Sequence, residues 1–147
     1  MAAERAPAFV DTNVLVYAFD KSSSPKKRIA QRLMNELMDE DRLRLSTQVL
    51  QELFVTLTRK VSQPCSSEEA LAVLEDLTAW PLMVVDYAAI RAAVRLSDQA
   101  KLSFWDALVV IAAIRTGSAV LYTEDLNDGQ DIFGVRINNP FLPGAPE

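Results

Sequence analysis

A short apolar stretch that ends in an acidic residue, near the start of the chain, constrains the fold most strongly. Apolar residues at Ala8–Val10 are followed by Asp11, two small polar residues and a second apolar run. This pattern predicts a buried strand over Ala8–Val10 and a helix that begins at about residues 14–19. Asp11 would then lie at the carboxyl end of the first strand, which is where open α/β sheets bind ligands.

The bulk composition indicates a single globular domain. Of the 147 residues, 50% are hydrophobic and 24% are charged, which is enough to form one ordinary core. No apolar run approaches the roughly 20 residues of a membrane-spanning helix. The first residues lack the apolar segment of a secretory signal, and one cysteine, Cys65, excludes an intramolecular disulfide. We therefore expect one cytoplasmic domain over residues 1–147, outside any membrane, with loose ends at about 1–6 and 140–147.

The absence of histidine limits the chemistry that this chain can perform. It excludes Ser-His-Asp and Cys-His catalysis, histidine-ligated zinc and a ribonuclease that uses a histidine pair. Hydrolysis would have to use carboxylates, a hydroxyl, lysine or arginine, or a metal held by oxygen atoms, which select Mg²⁺, Mn²⁺ or Ca²⁺. The net charge of -5 argues against a protein that coats nucleic acid, but it is compatible with a nuclease that has a local basic rim.

Strand patterns alternate with pairs of helix patterns along the chain. Strands are predicted at about 8–10, 42–46, 81–85, 119–122 and 135–138, and helices at about 14–19, 25–39, 46–60, 66–79, 87–100 and 107–114. The order β-α-α-β-α-α-β-α-α-β-β predicts an α/β fold of three layers. Its central sheet of about five mainly parallel strands would have helices on both faces.

Three further acids accompany these elements. Glu52 lies at the edge of a helical apolar stripe, Asp106 opens an apolar helix, and Asp125 follows the fourth strand. Structural explanations exist, because Glu52 could be a surface acid and Asp106 could form a capping box with Ser103. If the first and fourth strands are neighbours, all three would meet Asp11 at the topological switch point of the sheet. Carboxylates so close need a cation, and Mg²⁺ suits phosphodiester hydrolysis there.

Other charged residues leave alternatives open. Asp86 follows the third strand and could be a fifth site acid, although its position also suits a helix cap. Lys26, Lys27 and Arg28 lie in the first turn of a helix, where basic charge opposes the helix dipole. They form either a solvated face or a rim that contacts phosphate.

Four segments together resemble the motifs of PIN-domain ribonucleases, and most closely those of VapC-type toxins of bacterial toxin–antitoxin pairs. The segments are DTNVLVY at 11–17, QVLQE at 48–52, FWDAL at 104–108 and TEDLNDGQ at 123–130. They cover nearly the whole chain, in order and at family-like spacing. Each motif alone is weak, but the agreement of acids, flanking residues and strand–helix context makes the set specific.

The resemblance implies an endoribonuclease that depends on Mg²⁺ or Mn²⁺. By matching motif, Asp11 and Asp106 would hold the principal metal, and Glu52 and Asp125 would complete the acidic pocket. Metal-activated water would attack the phosphate in line. The residues expected to orient these carboxylates are Thr12, Asn13 and Thr123.

Two of these assignments have alternatives, and the partners follow from the resemblance alone. Asn13 could instead cap the first helix, and Glu124 or Asp128 could serve in place of Asp125. The resemblance implies an RNA substrate, a homodimer, and inhibition by a cognate VapB-type antitoxin in a type II toxin–antitoxin system.

Three other classes of protein are compatible with parts of the sequence. A response-regulator receiver needs paired acids after its first strand and a lysine after its last, whereas this chain has Asp11 alone and Arg136 within its last predicted strand. A phosphatase of the haloacid dehalogenase type needs an acid where Asn13 stands. A catalytically inactive PIN-like module that binds RNA or protein is the alternative to an enzyme, and the presence of all four acids favours the enzyme.

Overall fold

The computed structural model describes residues 6–143, and within this range the chain alternates strands with pairs of helices. The elements are β1 (Ala8–Val10), α1 (Thr12–Phe19), α2 (Pro25–Asp39), β2 (Leu43–Ser46), α3 (Thr47–Arg59), α4 (Ser67–Leu77), β3 (Leu82–Met83), α5 (Tyr87–Ala100), α6 (Phe104–Arg115), β4 (Val120–Tyr122), β5 (Asp131–Ile132) and β6 (Val135–Asn138). The predicted α/β class is confirmed.

The strands form one sheet in the order β3-β2-β1-β4-β6-β5. Every pair is parallel except β5 with β6. β1 lies between β2 and β4, with Val10 opposite Tyr122. The first and fourth strands are therefore neighbours, which is the condition under which the acids were predicted to meet. The chain leaves β1 toward β2 and later returns to the other side of β1 as β4. The carboxyl ends of β1 and β4 therefore form the switch point.

The sheet has six strands in the described part of the chain, where about five were expected. The additional strand, β5, has two residues and pairs with β6. Phe133 and Gly134 connect the two strands and have φ angles of 49° and 88°. Two residues are too few to show an alternating pattern, so this strand could not be predicted from the sequence.

Side-chain caps determine where the helices begin. Ser24, Ser46, Ser66 and Ser103 each accept a bond from a backbone N–H of the first turn, and Ser66 forms a full capping box with Glu69. The start of α1 was predicted two residues too late. It begins at Thr12 because Asp11 is the cap, its carboxylate accepting from the Thr12 N–H. Asn13 consequently lies inside α1 and does not cap it.

The core lies on both sides of the sheet. All three residues of β1 are fully buried although successive side chains point to opposite faces, so both faces are covered. The apolar helix predicted to open at Asp106, α6, is buried at every position from Ala107 to Ala113. It packs against α5 and the strands at the centre of the sheet.

The ends of the chain were expected to be loose, and residues 1–5 and 144–147 lie outside the described residues. Pro140 is buried, and the ring of Phe141 packs edge-to-face on Tyr17 of α1 with 5.0 Å between ring centroids. Within residues 6–143, every helix is too short or too polar to cross a bilayer.

Candidate active site

Asp11 is a buried carboxyl group at the switch point, with 6% of its surface exposed. One carboxylate oxygen accepts from the Thr12 N–H at 2.7 Å and the other from the Thr123 hydroxyl at 2.8 Å. Burial raises the pKa of Asp11 to about 7, against these two bonds, and the charges of Asp125 and Glu52 raise it further. Without positive charge at the site, a large share of Asp11 is therefore protonated near neutral pH.

Thr123 connects the end of β4 to the other site residues and is fully buried. Besides donating to Asp11, its Oγ1 accepts from Asn13 Nδ2 at 3.3 Å and from the Asp125 N–H at 3.1 Å. Thr123 lies beside Asp11 because Val10 and Tyr122 are in register in the parallel pair. The strand pairing thus sets the contact between the two residues.

Asn13 bridges α1 to the loop after β4. Its Nδ2 donates to Asp125 Oδ2 at 2.9 Å, and its Oδ1 accepts from the Glu124 N–H at 3.4 Å. Both ends of the amide are therefore used to hold this loop. Asn13 therefore contacts Asp125 directly, and its role in orienting that carboxylate stays a prediction.

Glu52 reaches the site from α3. The Thr12 hydroxyl donates to Glu52 Oε1 at 2.7 Å, so Thr12 contacts Asp11 through its N–H and Glu52 through its side chain. Glu52 is partly buried, as its place at the edge of the apolar stripe predicts.

Asp106 lies in the first turn of α6 and is partly buried. Its backbone N–H donates to the Ser103 hydroxyl at 3.1 Å, so the predicted cap is present. Burial raises the pKa of the Asp106 carboxyl, and the charge of Asp125 raises it further. The charge of Asp125 thus raises the pKa of both Asp11 and Asp106.

The structure brings the four predicted acids to one edge of the sheet but does not pack them into a ready-made metal cluster. Within residues 6–143, no group of three or more acidic or cysteine side chains is positioned to hold an ion. Hydrogen bonds from Thr12, Asn13 and Thr123 hold the carboxylates in place. The four acids offer only oxygen atoms as metal ligands, and a divalent cation would favour the ionised form of Asp11. The chemistry of these side chains therefore fits an Mg²⁺-type ion.

The neighbouring acids have other partners. Glu124 accepts from Lys26 Nζ at 2.9 Å and from the Tyr17 hydroxyl at 3.1 Å, and Asp128 accepts from the Asn139 N–H at 2.7 Å. Among the three acids of this loop, the geometry thus favours Asp125 for the site.

Asp86, considered as a fifth acid, caps α5 by accepting from the Ala89 N–H at 2.8 Å. It also pairs with Arg115 at 3.3 Å, at the opposite end of α6 from Asp106. Its contacts are therefore those of a cap and lie outside the acidic site.

An open groove of about 850 Å³ runs beside the acids. Thr12, Asn13, Glu52 and Asp125 line it, together with side chains that the sequence did not single out as functional: Gln48, Gln51, Lys60 and Trp105. Except for Lys60, these additional residues lie within the motifs, next to the acids. Their closeness to Glu52 and Asp106 in the sequence was the available signal.

Lys26 and Lys27 are only partly exposed, whereas Arg28 is exposed. Lys26 Nζ pairs with Glu124 and lies 5.0 Å from the centroid of the Tyr17 ring, while Lys27 donates to the backbone carbonyl of Asp20. The two lysines thus have partners within the domain. Neither of the two interpretations of these basic residues, a solvated face or a rim that contacts phosphate, predicted such partners.

The fold is an open, mainly parallel α/β sheet with four acids near its switch point and a groove beside them. In α/β proteins of this class, ligands bind at the carboxyl ends of the strands. The family model of the PIN domain matches residues 8–127. The chain therefore belongs to the PIN-domain family, and the resemblance seen in its motifs is confirmed at that level.

Several solved structures share this fold. A toxin–antitoxin complex from Klebsiella pneumoniae matches with a TM-score of 0.68 and 19% identity, covering 91% of this chain and 98% of that chain. VapC20 from Mycobacterium tuberculosis, described as a Sarcin-Ricin loop cleaving toxin, has a TM-score of 0.64 and 20% identity, covering 80% and 91%. VapBC2 from Rickettsia felis, bound to a DNA fragment from its promoter, has a TM-score of 0.62 and 17% identity, covering 90% and 97%.

At these identities the similarity demonstrates the fold. A comparison with curated proteins gives no significant match.

Proposed function

We propose that this protein is an endoribonuclease dependent on Mg²⁺ or Mn²⁺, and the toxin of a type II toxin–antitoxin pair. The observation that carries the proposal is the convergence of Asp11, Glu52, Asp106 and Asp125 at the switch point of a PIN domain. With no histidine in the chain, these carboxylates are the groups available for hydrolysis at this edge.

The four carboxylates are proposed to have two roles, which are to bind the metal ion and to supply negative charge around it. Asp11 and Asp106 would hold a divalent ion, and Glu52 and Asp125 would extend the negative site around it. When bound, the ion stabilises charge on the phosphate and makes water a stronger nucleophile. Thr12 and Thr123 hold the carboxylates in fixed positions by hydrogen bonds, so little reorganisation is needed on binding.

The toxin assignment is supported by the solved structures that share this fold. They include a toxin–antitoxin complex and a toxin described as cleaving the Sarcin-Ricin loop. By this similarity we propose RNA as the substrate, a homodimer as the assembly, a VapB-type antitoxin as the partner and the cytoplasm as the location.

Cleavage by the purified protein tests the enzymatic proposal. RNA incubated with Mg²⁺ or Mn²⁺ should be cut, and EDTA should stop the reaction. Asp11→Asn and Asp106→Asn should each lower the rate by about a hundredfold or more, because each removes a charge that the reaction needs. Asp86→Asn is the matched control, since it makes the same change outside the site.

Full activity in EDTA, or in Asp11→Asn, would disprove the proposed mechanism. The alternative function, a catalytically inactive module that binds RNA or protein, predicts RNA binding without cleavage in either metal. Gel electrophoresis of the RNA, together with a binding titration, separates the two functions.

A further inference from the structure

Trp105 is the residue of the groove whose exposure calls for an explanation. It lies beside Asp106 in the first turn of α6, lines the groove, and has 61% of its surface exposed. The rings of Phe104 and Trp105 contact each other edge-to-face, with 5.0 Å between ring centroids and an interplanar angle of 79°. A largely exposed indole in the lining of a groove offers a flat surface to a ligand.

Gln48 anchors the backbone at the same place. It is 4% exposed, lines the groove, and donates from Nε2 to the Trp105 carbonyl at 3.3 Å across the gap between α3 and α6. Its other amide atom, Oε1, is buried and has no hydrogen-bond partner among residues 6–143. A buried acceptor without a partner is costly, and such atoms gather at sites that a ligand or water completes.

Other residues that line the groove have the properties of a surface that binds single-stranded nucleic acid. Val55 and Val61 add apolar surface to the groove, and Lys60 adds a positive charge to a lining that also contains Glu52 and Asp125. Nucleobases stack on aromatic side chains while basic residues follow the backbone phosphates. A base in a duplex is already stacked on both faces, so the exposed indole suits an unpaired base.

We propose that Trp105 stacks on one unpaired nucleobase of the RNA next to the cleaved phosphate. This inference rests on the nuclease function proposed above. Trp105 is then a binding residue, whose backbone carbonyl is held by Gln48 and whose ring contacts Phe104.

Intrinsic fluorescence tests the stacking independently of cleavage. The chain has two tryptophans, so Trp80→Phe leaves Trp105 as the sole reporter. In EDTA, a mixed-sequence single-stranded RNA of about ten nucleotides should quench this fluorescence at concentrations where the same sequence as a duplex does not. Equal quenching by both RNAs, or none by either, would overturn the proposal.

Kinetics test the same surface during turnover. Trp105→Ala should raise KM by about ten- to hundredfold with a smaller change in kcat, and Trp105→Phe should restore most of the loss. Tyr87→Ala, which removes an exposed aromatic on α5, should leave KM unchanged. An unchanged KM in Trp105→Ala, with the wild type active, would overturn the stacking alone. An inactive wild type would overturn the nuclease function, and the quenching in EDTA would still decide the stacking.

Discussion

Asp11 illustrates how the folded structure changes the pKa of a single side chain. Its carboxyl accepts two hydrogen bonds, yet burial and the neighbouring charges of Asp125 and Glu52 keep its pKa at about 7. Relative to an ordinary value of 3.8, ionising this group in the folded protein costs on the order of 4 kcal/mol more than in the unfolded chain. A bound cation would offset that cost, so the same burial that disfavours the charge prepares the site for an ion.

The raised pKa of Asp11 predicts a pH dependence of stability in metal-free protein. Between pH 3.8 and about 7 the folded chain keeps a proton that the unfolded chain has lost. The free energy of unfolding should therefore fall as pH rises through this range, by up to about 4 kcal/mol from this group. Asp11→Asn should lose that part of the slope, as urea denaturation in EDTA at pH 5 and pH 8 can measure.

Asp86→Asn is the control for this experiment. The pKa of the Asp86 carboxyl is held below its ordinary value by the bond from the Ala89 N–H and by Arg115, so Asp86 titrates below the range in question. Its variant should keep the wild-type slope. Identical slopes in the wild type and in Asp11→Asn would contradict the assigned pKa.

At the scale of elements, the loop after β4 is fastened from two helices. Asn13 of α1 holds Asp125, while Lys26 of α2 and Tyr17 of α1 hold Glu124. The bond to Glu124 raises the pKa of Lys26, because it favours the charged ammonium. Because Glu124 and Asp125 are adjacent, the contacts of Glu124 restrict where Asp125 can lie.

Loosening this loop should lower activity more than stability. Lys26→Met removes the partner of Glu124, and we expect the cleavage rate to fall by about ten- to hundredfold, as for residues that orient metal ligands. The free energy of unfolding should change by only about 1 kcal/mol or less, because the Lys26 side chain is 44% exposed.

Lys21→Met is the matched variant, since it breaks an exposed pair with Glu69 away from the acids. Its rate should equal that of the wild type. A rate in Lys26→Met that also equals the wild type would show that the loop holds Asp125 without Lys26.

At the scale of the whole molecule, the site joins segments that are distant in the chain. Asp11 follows β1, Glu52 lies on α3, Asp106 on α6 and Asp125 after β4. An ion bound among them would link these segments in the folded state and have no such site in the unfolded chain. Binding should therefore stabilise the whole domain.

Thermal unfolding checks this consequence. Mn²⁺ at about a hundred times its Kd should stabilise the wild type by about 2.7 kcal/mol and raise its Tm accordingly. The rise should vanish in Asp106→Asn and persist in Asp86→Asn. An equal rise in all three proteins would place the ion outside the acidic site.

Much of the fold was predictable because its signals are local. The strand at Ala8–Val10 and the helices Pro25–Asp39 and Tyr87–Ala100 have the predicted bounds, since caps and apolar periods act over a few residues. The PIN-domain resemblance was recognisable because its acids lie inside such local patterns. The short strand β5 was missed because it depends on pairing with β6.

The site residues show the same division. The predicted cap at Ser103 is present, the assignment of the four acids to one catalytic site stays a prediction, and the roles of Asn13 and Lys26 were left open. An amide in a first helical turn and a lysine in a first helical turn have several possible partners. Which partner each one takes depends on residues about a hundred positions away.

The sequence by itself determined the order of the helices and of every strand except β5, the acids near their ends and, through the absence of histidine, the kind of chemistry available. Only the tertiary structure decided that β1 and β4 are neighbours, that Thr123 donates to Asp11 across 112 residues, and that burial raises the pKa of this carboxyl. Helix and strand signals arise between residues a few positions apart. The environment of a buried charge depends on every segment packed around it, and this packing exists only in the folded chain.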